Sequence, residues 1–165
     1  MYLTVHAAAG AVIGNYINNA FLAFILGFIS HFILDRIPHK DPDSADNFLE
    51  HKLRLSKRTR KFLAILFIDA LMLIMFTMMF YNRDIFIYPH PVIAGIVGAI
   101  LPDALAGLYF LTGNKYLGKF WEFHKRIHFD HKRVTVSVTG GMLTQVVLLA
   151  ILVRMIIHRF LNYTG

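Results

Sequence analysis

Histidine and aspartate recur in this chain at spacings that suit metal coordination or proton transfer. His31 and Asp35 stand four apart in the run Gly27-Phe-Ile-Ser-His-Phe-Ile-Leu-Asp-Arg-Ile-Pro-His-Lys-Asp41. On a helix that spacing puts them on one face, about a turn apart. Pro38 takes the chain off the helix directly afterwards, leaving His39 at the exit and Asp41 beyond it. His124 and His128 repeat the i, i+4 spacing of two ligands on one helical face. Imidazole and carboxylate meeting where an apolar helix enters a polar loop can build a metal site or a proton-transfer site. The plainer alternatives are a satisfied polar helix end and, for residues 123–131, a basic interfacial segment. The sequence contains no cysteine, which excludes disulfides and thiolate sites, so a metal would have to use imidazole and carboxylate.

The elements that must position these groups are apolar. Of 165 residues, 56% are hydrophobic and 16% charged, and the mean hydropathy is +0.54. A soluble domain of this size could not bury so much apolar surface, so the composition predicts an integral membrane protein. The pattern predicts a single all-α domain over residues 1–165, a membrane helical bundle of about five helices whose first two form a short hairpin. Residues 3–16 form a short helix rich in alanine and glycine, Asn18-Asn19 a turn, and residues 20–36 a second helix. One continuous helix over 3–36 would be roughly 50 Å long, too long for a hydrocarbon core of about 30 Å, hence the hairpin. The N-terminus lacks a basic n-region and carries His6, Asn15, Asn18 and Asn19, so it does not read as a cleaved signal peptide.

Residues 37–60 are expected to form a polar loop with a surface helix over about 44–55, and His51 within it is expected to be solvated. Transmembrane helices are expected over 61–82, 91–111 and 134–157. Asp69 lies inside the first of these, where a carboxylate must face the bundle, a partner or water. Leu101-Pro102-Asp103 is expected to interrupt the second with a kink beside an acid. Residues 112–133 suit a membrane interface, with Tyr116 and Trp121 as belt residues, and His158 also reads as interfacial. The formal net charge of +7 resides largely in the segments 37–60 and 112–133, which predicts that both are cytoplasmic and face anionic headgroups. No nucleic-acid partner is expected, because the basic residues sit beside apolar spans. With that topology His6, His31, Asp35, His39, Asp103, His124 and His128 fall on one side of the membrane, from separate segments. Such convergence favours a metal site.

Three stretches carry a family resemblance. His6-Ala-Ala-Ala-Gly10, Gly27-x-x-Ser30-His31-x-x-x-Asp35-x-x-Pro38-His39 and Gly98-x-x-Leu101-Pro102-Asp103 resemble the bacterial membrane-bound metal-dependent hydrolases, which include LexA-regulated inner-membrane proteins. The His-x-x-x-Asp helix and the Pro-Asp element are also distantly similar to the all-helical, zinc-dependent phospholipases C. The resemblance implies zinc, with His6, His31, Asp35, Asp103 and His39 as ligands, and a bacterial inner-membrane location. The Arg-Gly-x-Thr-His-Ser element of the membrane hydrolases is absent, and Phe123-His124-x-x-x-His128 is the candidate to take its place. The expectation is a zinc hydrolase acting on a phosphoester or lipid-linked substrate, such as a phospholipid, at the cytoplasmic interface. With one to three zinc ions, Asp35 and Asp103 would bridge metals and orient the attacking water, and His128 or His124 would complete the ligand shell or protonate the leaving group. The alternative is a non-enzymatic membrane protein, either a metal-binding scaffold or a proton or cation transporter with Asp69 and Asp103 along its path.

Overall fold

The computed structural model describes residues 1–39, 57–127 and 137–165. Among these there are six helices and no strand. They are α1 (Leu3–Tyr16), α2 (Ala20–Leu34), α3 (Lys57–Tyr81), α4 (Pro89–Thr112), α5 (Lys115–Ile127) and α6 (Val138–Thr164). The sixth helix relative to expectation is α5, which occupies the stretch read as interfacial. The surface helix expected over 44–55, with Asp41, His51 and His128, lies outside the described residues.

The bundle is built around α1. Eleven of its fourteen residues are buried, and α2, α3, α4 and α6 all pack on it. Alanine and glycine make this possible, because a helix clad in small side chains lets neighbouring backbones come close on every side. Gly10 and Gly95 abut so tightly that a Cβ on either would collide with the other's carbonyl oxygen. Likewise a Cβ on Gly14 would strike the backbone of Pro91 and Val92, and one on Gly98 the carbonyl of Phe24. Ala7, Ala8, Ala11 and Val12 then meet Phe76, Phe80, Val92, Ile96 and Ile156 in one apolar core.

Local signals set the turns. Asn19 caps α2, its side-chain oxygen accepting the Leu22 N–H at 2.9 Å, so the hairpin turn falls where Asn18-Asn19 predicts it. The hairpin is antiparallel: His6, near the start of α1, stacks on His31, near the end of α2, with ring centroids 4.0 Å apart. At the other end of α1, buried Asn15 accepts the Ile87 N–H at 2.7 Å and secures the connection into α4. Gly113 ends α4 in the left-handed conformation, φ 64°, its N–H reaching Tyr109 O at 2.8 Å. Asn114 then caps α5 through the Tyr116 N–H, and the chain turns back over the bundle.

Three helical stretches are long and apolar enough to cross a membrane: Ala64–Tyr81, Pro89–Tyr109 and Val138–Thr164. α4 runs through Pro102 as one helix, so the chain does not leave the helix there. α6 continues to Thr164 and so includes His158, rather than stopping at residue 157.

Candidate metal centre

The end of the bundle where α1 begins and α2 finishes holds a buried cluster of imidazoles and carboxylates. α2 supplies His31 and, at its C-cap, Asp35; α1 supplies His6; α5 supplies His124; and α4 supplies Asp103. His6, His31, Asp35 and His124 are each at most 3% exposed, whereas the Asp103 side chain is 30% exposed and marks the open side. Two overlapping groups could hold a metal ion: His31, Asp35 and His124, and His6, His31 and Asp103.

The first group is the tighter. His31 Nε2 lies 3.1 Å from His124 Nε2 and 3.1 Å from Asp35 Oδ2, and His124 Nε2 lies 3.2 Å from the same oxygen. Ligands around a tetrahedral zinc at 2.0–2.1 Å stand roughly 3.3–3.4 Å from one another, so this triangle is close to one face of such a tetrahedron. Hydrogen bonding alone does not satisfy it. With Asp35 ionised its oxygen only accepts, and each ring nitrogen either donates or accepts, so at least one of the three edges must join two of a kind. A central cation resolves all three edges at once.

The surroundings prepare these atoms as ligands. His31 Nδ1–H donates to Ala99 O at 2.8 Å, which leaves Nε2 as the lone-pair atom facing the triangle. Ala99 O lies on α4 one turn before Pro102. His31 therefore offers one coordinating nitrogen, shared by both groups, and a lone pair binds a single ion. His6 is more exceptional. Both of its ring nitrogens are buried with no hydrogen-bond partner, although Nε2 stands 3.2 Å from Asp35 Oδ1 in a poorly aligned contact. A buried imidazole without partners is costly, and coordination would relieve that cost. Asp35 thus turns Oδ2 to His31 and His124, and Oδ1 to His6 and to the Met1 ammonium, which donates to it at 3.4 Å. Asp103 Oδ1 lies further out, 3.7 Å from His31 Nε2 and 3.9 Å from His124 Nε2.

Aromatic rings hold the imidazoles in place. Phe32 meets His124 edge-on at 5.7 Å between centroids, and Trp121 does so at 5.8 Å. Trp121 therefore braces the site from α5, in addition to any role as a belt residue. Of the seven sequence candidates, His6, His31, Asp35, Asp103 and His124 come together. His39 is fully buried with Nδ1–H donating to Ile37 O at 2.7 Å, but it belongs to neither convergent group among the described residues. His128 lies outside the described residues.

Asp69 stands apart from the cluster. Its carboxylate takes the Leu3 N–H at 2.6 Å on Oδ2, and the Thr4 N–H at 3.2 Å and Thr4 hydroxyl at 2.7 Å on Oδ1. The residue that sequence reasoning missed is Gln145 of α6, whose Oε1 accepts the Tyr2 N–H at 2.8 Å. A buried glutamine in an apolar helix was the available signal. No family model, no curated protein and no solved structure matches the chain.

Proposed function

We propose that this is a membrane-embedded, metal-dependent hydrolase, with zinc held by His31, Asp35 and His124 and acting on a phosphoester or lipid-linked substrate. The observation that carries the reading is the buried triangle of His31 Nε2, His124 Nε2 and Asp35 Oδ2, with edges of 3.1, 3.1 and 3.2 Å. Zinc has no redox chemistry and suits two imidazoles with a carboxylate; bound there it supplies Lewis acidity, activating water near neutral pH and polarising an ester oxygen. The chain's own groups do the rest. Asp35 binds, and its second oxygen orients His6. Asp103, on the open side, takes the proton of the attacking water as its oxygen bonds to phosphorus or acyl carbon. His128 is the sequence candidate to return a proton to the departing alcohol oxygen. Phe32 and Trp121 exclude bulk water behind His124.

A membrane setting is supported by three spans of sufficient length and by the outward display of Phe67, Met75, Leu143 and Val146, each more than 60% exposed. The basic segments suit an anionic headgroup and a cytoplasmic orientation, and the resemblance to bacterial inner-membrane hydrolases supports that location. The transporter alternative needs Asp69 and Asp103 to line one path. It loses support because the Asp69 carboxylate is occupied by donors from the start of α1.

The test is the metal content of detergent-purified protein by plasma mass spectrometry, wild type beside a His31→Ala, Asp35→Ala double variant, followed by hydrolysis assays on phospholipid vesicles. Stoichiometric zinc lost in the variant, together with zinc-dependent ester cleavage, supports the proposal. Zinc-free wild-type protein refutes it.

A further inference from the structure

α1 begins without a cap of its own. Tyr2 at the N-cap makes no side-chain capping bond, and the first turn contains no acid. The first N–H groups of any helix have no partner within it, and burying them unpaired is costly. Val5 N–H and His6 N–H reach back to Tyr2 O at 3.1 and 3.4 Å. The N–H groups of Tyr2, Leu3 and Thr4 go elsewhere: to Gln145 on α6 and, for the latter two, to Asp69 on α3. The Thr4 hydroxyl adds bonds to the Asp69 carboxylate and to the Asp69 main-chain oxygen, at 2.7 and 3.2 Å. The positive end of the α1 dipole also faces the buried Asp69 carboxylate, a favourable arrangement.

His6 lies two residues beyond this clamp, and its imidazole is held only by a 3.2 Å contact with Asp35 Oδ1 and by stacking on His31. Its position in the cluster therefore depends on where the first turn of α1 is fixed. We infer that Asp69, with Gln145, is a positioning residue for the metal centre, capping α1 from neighbouring helices and thereby setting His6 against Asp35. This rests on the proposed metal site and assigns Asp69 a role in that site without contact with the metal.

The test measures zinc affinity by chelator competition on the full-length protein in detergent. The variants are Asp69→Asn, His6→Ala and the two combined, with Asn15→Ala as a control. Asparagine keeps the size but sets an amide NH2 against donors. His6 is an outer-shell partner of the ligand Asp35, and loss of such partners typically changes affinity 10- to 100-fold, so Asp69→Asn, which displaces His6, is expected to weaken zinc binding about tenfold. In the His6→Ala background the same change is expected to do nothing further, because the residue it acts through is gone. Asn15→Ala removes a buried bond at the far end of α1 and is expected to lower thermal stability while leaving zinc affinity unchanged. Wild-type affinity in Asp69→Asn overturns the inference, as does an equal loss persisting without His6 or an equal loss in Asn15→Ala. Zinc-free wild-type protein removes the centre itself and this role with it, a result distinguishable because no variant is needed to see it.

Discussion

Asp35 and Asp69 are both buried carboxylates in apolar surroundings, 1% and 7% exposed, yet they face opposite chemistry. Asp69 is surrounded by groups that carry protons: two backbone N–H groups and a hydroxyl. Asp35 is surrounded by imidazole nitrogens and, on Oδ1, by the Met1 ammonium at 3.4 Å; on the neutral His31 ring the bond to Ala99 leaves a lone pair facing Oδ2. Donors complete a carboxylate and make it a piece of architecture. A lone pair set against one of its oxygens leaves Asp35 Oδ2 with a contact that a bound cation would satisfy. Burial alone does not separate the two cases; the proton inventory of the neighbours does.

The comparison can be broken most directly at Asp35. Asp35→Ala is expected to abolish stoichiometric zinc by plasma mass spectrometry, whereas Asp69→Ala is expected to retain it at saturating zinc. Equal loss in both would erase the distinction. Asp69→Ala is expected instead to cost about 1–3 kcal/mol of stability, because it strands buried N–H groups, as read by denaturant titration in detergent. Gly95→Ala tests whether the seam is as unforgiving as the clamp. A methyl driven into Gly10 is expected to cost about 1–3 kcal/mol by the same titration. Stripping metal with a chelator is expected to lower the Tm of wild type by a few degrees, in proportion to binding free energy, and to leave that of Asp35→Ala unchanged. The smallest effect on metal affinity belongs to Asp103→Asn, since Asp103 is partly exposed and furthest from the triangle. There hydrolysis is expected to fall more than zinc binding, and a parallel fall in both would move Asp103 into the primary ligand set.

Much of this was legible in the chain itself. The His31–Asp35 pair follows from helical spacing, and the α1–α2 hairpin from the length of an apolar run broken by Asn18-Asn19. Asp103 follows from its place beside Pro102, and His124 from its spacing to His128. All are local signals. What escaped is long-range. The clamp joins residues 65, 66 and 143 positions apart, and no pattern within α1 or α3 reveals that one lacks a cap and the other carries it. The similarity of the glycine patterns around Gly10 and Gly95 is visible in the sequence, but that they touch is a property of packing. α4 runs through Pro102 as one helix, and the pairing of Ala99 O one turn earlier with His31 Nδ1–H is again a long-range contact that no local pattern shows.

The enclosure of α1 has a consequence for how the chain is made. This helix is synthesised before its neighbours, and at 14 residues it spans only about 21 Å. It has few large side chains with which to hold a place by itself. Its glycine seam waits for α4, and the Tyr2 N–H waits for Gln145 on α6. A helix that precedes its partners in the chain is thus seated fully only after they have formed. Until α6 arrives the clamp on its start is incomplete, so a nascent chain would carry a half-formed centre that tightens only once α6 has been made.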